Sequence, residues 1–200
     1  LSPEAFPDDM KPLECRLSHI SLDIDADNGK LTTHKLRSLL SSSSESLESF
    51  RLGDLGYDDP ASITANRVVS FFATNRFPRL RTLIIDSWQP YTFYSKLLTC
   101  FPALESLVFT IFDPKDLDSI ADFVTPQVTY LAIITKRWSY RAASQEAIRK
   151  TLSGDNLRNV RTLGLPETNP SLLASPDGQA LLEECEQRNI AVVYRSNYFV

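Results

Sequence analysis

Two hundred residues and 22.5 kDa amount to about one domain's worth of chain. With 42% hydrophobic and 23% charged residues the composition is that of a folded chain, which excludes wholesale disorder. The net charge of −4 leaves no basic footprint for nucleic acid, and no stretch approaches the roughly 18 apolar residues that span a bilayer.

Leucine is abundant (27 residues) and glycine scarce (6), and the arrangement of the leucines is the main clue. A strand pattern L-x-x-L-x-L, with other apolar residues allowed, opens at Leu17-Ser-His-Ile20-Ser-Leu22. Leu36, Leu39 and Leu40 then predict a helix over 33–43. The strand pattern returns at Leu47-Glu-Ser-Phe50-Arg-Leu52, followed by a helical stripe over 62–75 with Ile63, Val68, Val69 and Phe72. A third strand, Leu80-Arg-Thr-Leu83-Ile-Ile85, precedes a helix over 91–100. The fourth, Leu104-Glu-Ser-Leu107-Val-Phe109, precedes one over 116–124, with Asp113-Pro114 as its start signal. The fifth, Val128-Thr-Tyr-Leu131-Ala-Ile133, precedes one over 141–152, and the sixth, Val160-Arg-Thr-Leu163-Gly-Leu165, one over 176–187. A terminal copy, Ile190-Ala-Val-Val193-Tyr, is degenerate. The copies start 24 to 33 residues apart, a spacing that marks a repeat architecture.

Strands covered on both faces read as continuous apolar runs, whereas these alternate. Phe50 and Leu52 oppose Ser49 and Arg51, and Ile20 and Leu22 oppose His19 and Ser21. Helices are therefore expected on one side only, and wide helices against narrow strand spacing bend the sheet. The expected fold is an α/β solenoid, a horseshoe with a parallel sheet on its concave face and helices on its convex face. Residues 1–12 form a flanking segment, and 13–200 about six irregular repeats plus a terminal strand.

These copies resemble leucine-rich repeats. The joints Phe77-Pro78-Arg79-Leu80-Arg81-Thr82-Leu83 and Phe101-Pro102-Ala103-Leu104-Glu105-Ser106-Leu107 resemble the divergent repeats of fungal F-box proteins, as does the stretch Leu181 to Ile190. The resemblance implies substrate recognition for a cullin–RING ubiquitin ligase, with an F-box docking to the adaptor. No F-box motif precedes Leu13, so adaptor binding is expected only if one lies upstream. The chain begins at Leu1 and not Met, as expected of a fragment. Regular leucine-rich repeats carry Asn or Cys three residues after the last strand leucine. Here Asp25, Leu55, Trp88, Phe112, Lys136 and Thr168 stand there, which predicts irregular loops.

Catalytic chemistry finds little support. The nucleophile-elbow, Walker and dinucleotide-binding glycine motifs are absent. Cys15, Cys100 and Cys185 are odd in number and lack a CxxC pair, so neither a zinc ribbon nor a disulfide framework is expected. His19 with Asp23 could share a strand face, but a solvated histidine is the commoner case. Asp23, Asp25 and Asp27 approach a calcium-loop spacing, yet the twelfth position is His34 where the loop needs Glu. No catalytic residue, cofactor or metal is expected. The absence of a signal peptide points to a cytoplasmic or nuclear compartment.

The outward strand positions list the candidate binding surface. The first two copies are polar there, and copies three to five carry Ile84, Val108, Tyr130 and Ile134. Arg51 and Asp86 lie beside them, and the loops beyond add Trp88 and Trp138. An apolar centre with a polar rim is the anatomy of a protein interface. The predicted function is a non-enzymatic, monomeric protein-interaction domain using Arg51, Ile84, Asp86, Trp88, Val108, Tyr130, Ile134 and Trp138. Two alternatives remain: a repeat scaffold such as a small-GTPase regulator, and an α/β enzyme with its site at the strand ends.

Overall fold

The computed structural model describes residues 11–23, 32–53, 63–88, 91–111, 117, 122–135, 141–166 and 174–195. Most of the helix predicted over 116–124, the Asp23–Asp27 loop beyond Asp23, and Trp138 lie outside the described residues. The chain forms two compact units, one through Leu104 and one from Glu105. Both are α/β, with all-parallel strand pairing.

The first unit carries β1 (His19–Asp23), α1 (Thr33–Leu40), β2 (Ser49–Gly53), α2 (Ile63–Thr74), β3 (Thr82–Trp88) and α3 (Tyr91–Leu98). Its strands lie in the order β1-β2-β3, in a register that aligns the sequence copies position for position. Ile20, Phe50 and Leu83 form one inward row, and Leu22, Leu52 and Ile85 the next; all six are buried. The helix stripes complete the core with Leu36, Leu39, Val68, Phe71, Phe72, Phe93 and Leu97. Phe72 is the hub of an aromatic cluster. Its ring centroid stands 5.0 Å from Phe50, 5.3 Å from Phe71, 5.1 Å from Phe77 and 5.0 Å from Phe101, all edge-to-face, the arrangement that ring quadrupoles favour.

Helix α1 starts where Thr32 caps it, its hydroxyl accepting from Lys35 N–H at 3.1 Å. The helix predicted over 33–43 tightens into a 3-10 turn at Ser41–Ser43. The serine run there is a clamp on the preceding segment. Ser43 Oγ accepts from Leu17 N–H, Ser46 Oγ donates to Leu17 C=O and Ser42 Oγ to Cys15 C=O, each at 2.9 Å.

The second unit carries β4 (Ser106–Ile111), β5 (Tyr130–Thr135), α4 (Arg141–Leu152), β6 (Thr162–Pro166), α5 (Pro176–Gln187) and β7 (Ala191–Arg195), with the strands in the order β4-β5-β6-β7. Leu107, Leu131 and Leu163 share the inward row and are buried. Ser175 caps α5 by accepting from Gly178 N–H at 3.1 Å, and its hydroxyl donates to Gln145 Oε1 of α4 at 3.0 Å. The Arg188 guanidinium donates to the carbonyls of Leu152 and Leu157, tying the end of α5 to the end of α4.

Two backbone devices recur from copy to copy. Four joints are turns closed by a hydrogen bond from the first repeat position: Leu80 N–H to Phe77 C=O, Leu104 to Phe101, Val128 to Thr125 and Val160 to Leu157, at 3.1–3.2 Å; at the joint before β2, Leu47 N–H bonds Ser43 C=O at 2.9 Å instead. Proline at the second turn position presets its backbone at 78, 102 and 126. Beyond the joint, one carbonyl takes two N–H groups of the next copy. Ser18 serves Glu48 and Ser49, Glu48 serves Arg81 and Thr82, Glu105 serves Thr129 and Tyr130, and Thr129 serves Arg161 and Thr162.

The terminal copy departs from the expected alignment, in which Val193 takes the inward position of Leu163. The register instead places Val192 beside Leu163 and Val193 beside Gly164. The cause is the end of α5. Asn189 adopts a left-handed φ of 54°, Ile190 N–H bonds Cys185 C=O at 2.8 Å and Asn189 N–H bonds Glu186 C=O at 3.0 Å, a Schellman ending. Ile190 is thereby buried one residue closer to its strand than Val160 is to its own.

Candidate functional surface

In the first unit the outward rows run His19–Ser49–Thr82, Ser21–Arg51–Ile84 and Asp23–Gly53–Asp86. His19 is exposed, and Ser21, Ser49, Arg51, Thr82, Ile84 and Asp86 are partly exposed. The structure brings Arg51 and Asp86 together, Nη2 to Oδ2 at 3.1 Å. They are diagonal neighbours, since Asp86 pairs directly with Gly53, which has no side chain to stand between them. Each side chain is about a quarter exposed (26% and 27%), so the pair adds only about 0.2–1 kcal/mol. Arg51 Nε is buried and meets no acceptor among the described residues. Ile84 lies directly beside Arg51.

Trp88, expected in a loop, is the last residue of β3; its side chain is outside the description. His19 Nδ1 stands 2.9 Å from Ser18 Oγ. No group of three or more His, Cys, Asp or Glu with metal-site geometry occurs among the described residues.

The second unit corrects part of the expected surface. Val108 follows the alternation that turns it away from Leu107 and Phe109, yet it is only 2% exposed, as is its partner Ala132. Strand alternation sets direction; exposure depends on the neighbouring rows. Here those rows crowd together. A Cβ on Gly164 would lie 2.6 Å from Ala132 Cβ and 2.8 Å from Tyr130 Oη. Regular neighbouring strands stand about 4.8 Å apart, so the two strands converge on this face. The Tyr130 phenol extends diagonally toward Gly164, using the space a side chain would fill. Tyr130 and Ile134 remain partly exposed, whereas Val108 belongs to the packed layer. Gly164→Val should therefore destabilise the chain by about 1–3 kcal/mol through overpacking, read as a lower chemical-denaturation midpoint. An unchanged midpoint would contradict the crowding.

A second feature lies at the start of the strands, away from the outward rows. A groove of about 460 Å³ is lined by Glu105, Pro126, Gln127, Thr129, Asn159 and Arg161. Glu105, Thr129 and Arg161 immediately precede β4, β5 and β6. The available signal was the second position of each copy, which is polar or charged in all six (Ser18, Glu48, Arg81, Glu105, Thr129 and Arg161).

Burial raises the Cys100 thiol pKa, with the Thr99 hydroxyl opposing it, and burial raises that of Cys185 against the nearby Arg188 charge. Both shifts run opposite to those that activate nucleophilic cysteines. No helix among the described residues is long and apolar enough to cross a membrane. Comparison with protein families finds no family model that matches the chain, and comparison with curated proteins finds no match.

Proposed function

We propose that the chain is a leucine-rich-repeat domain, curved as a horseshoe, that recognises a protein partner on the outward sheet face of β1–β3. The recurring joints and shared carbonyls support the repeat class, because four joints and four shared carbonyls solve the same backbone problem in the same way. The convergence of β5 and β6 at Gly164 supports curvature toward the outward face. One observation carries the recognition reading: the Arg51–Asp86 pair beside Ile84, bordered on one side by the row His19, Ser49 and Thr82. An aliphatic side chain flanked by a fixed cation and anion fits a partner that presents an apolar residue with charges in the reverse order. Such complementarity selects partner and orientation more than it adds affinity. By resemblance, the partner is the substrate of an F-box-type ubiquitin ligase.

The test compares partner recovery by the full-length protein with that by an Arg51→Glu/Ile84→Asp variant, checked for folding by circular dichroism. Lys150→Glu, an exposed change on α4, serves as control. The proposal expects at least a tenfold loss for the double variant and none for the control. Undiminished recovery by the double variant would overturn it. Recovery of cullin and adaptor alongside would support the ligase role, and their absence would count against it.

A further inference from the structure

We infer that the groove before β4–β6 binds a single carboxylate, the side chain of an Asp or Glu on a peptide segment of a protein partner, with Arg161 as its anchor. This rests on the protein-recognition reading only for the source of the peptide. The volume of about 460 Å³ lies in the range of small-ligand sites, roughly 300–1,000 Å³. The walls are held by the backbone. Asn159 Nδ2 donates to Pro126 C=O at 2.7 Å, and Arg161 N–H donates to Thr129 C=O at 2.8 Å. Fixing Asn159 by its amide nitrogen leaves its Oδ1 to accept from a peptide N–H. The Arg161 side chain is exposed and makes no hydrogen bond or ion pair among the described residues. A guanidinium presents paired donors that match one carboxylate.

The same geometry argues against phosphate. The groove has one arginine, and the nearby N–H groups of Thr129, Tyr130, Arg161 and Thr162 are already spent on the Glu105 and Thr129 carbonyls. A dianion would thus find neither a second cation nor a nest of free amides. Glu105 stands two strands from Arg161, about 10 Å along the sheet, and its charge opposes any anion, a dianion about twice as strongly as a single carboxylate.

The test is an NMR titration of the ¹⁵N-labelled chain with the capped peptide Gly-Asp-Gly, its Gly-Asn-Gly counterpart and inorganic phosphate. The inference expects saturable shifts of the Arg161 Nε–H and the Gln127 and Asn159 amides with the Asp peptide. It expects affinity at least about fivefold weaker for the Asn peptide, for phosphate, and for the Asp peptide on Arg161→Gln. Equal response to the Asn peptide, tighter binding of phosphate, shifts elsewhere only, or no shift would each overturn it. The readout is independent of Arg51 and Ile84, so failure here leaves the sheet-face reading standing, and the reverse holds.

Discussion

Phe72→Ala should lower stability by about 3–5 kcal/mol, the usual cost of removing a buried phenylalanine. Phe72 touches four other rings: Phe50 on β2, Phe71 beside it on its own helix, and Phe77 and Phe101 at the joints. Truncation leaves a cavity that these rigid rings cannot close by changing rotamer. At roughly 2–4 °C per kcal/mol for a chain of this size, the thermal midpoint should fall by about 6–20 °C. Phe72→Leu keeps most of the volume and should cost about 1.5 kcal/mol or less. Calorimetry of the three proteins distinguishes a packed hub from a ring that merely lies nearby. Similar midpoints for wild type and Phe72→Ala would contradict the packing.

Leu83→Ala and Leu107→Ala should each cost about 2–5 kcal/mol, since both leucines are fully buried in the inward rows of β3 and β4. Their neighbours Thr82 and Ser106 are partly exposed on the opposite side of the same strands, and Thr82→Ala and Ser106→Ala should stay within about 0.5 kcal/mol. Urea denaturation of the four variants reads the strand alternation as an energy difference within each adjacent pair. Equal losses in both members of a pair would mean that both faces are packed.

The described strands and helices were legible because their signals are local. Apolar alternation set the inward rows, and Pro176 with a preceding serine fixed the start of the last helix. The register of β7 was not legible. Schellman endings are commonest with glycine, and nothing in the triplet Arg188-Asn189-Ile190 announced that asparagine would take the left-handed position and shorten the joint. Half of the candidate surface was legible for the same reason as the core: alternation placed Arg51, Ile84 and Asp86 on one face, and their pairing followed from the gap at Gly53. The burial of Val108 escaped because alternation gives a side chain's direction and not how closely the neighbouring rows pack, and a glycine in a strand names neither what approaches it nor from where. Val193 and Tyr194 are 36% and 48% exposed in β7, the outer strand of the second unit, where the expected alignment turns Val193 inward.

A partner that docks on the outward face of β1–β3 must cover the side chains of its rows. The direct measurement is the rate of maleimide labelling at Thr82→Cys, with Cys15 and Cys100 replaced by serine, for the chain alone and in complex with its captured partner. Thr82 lies in the outward row with Ser49 and is partly exposed, so the free chain should label readily. A covered face predicts labelling at least tenfold slower in the complex. Labelling at the same rate with and without the partner would contradict the account.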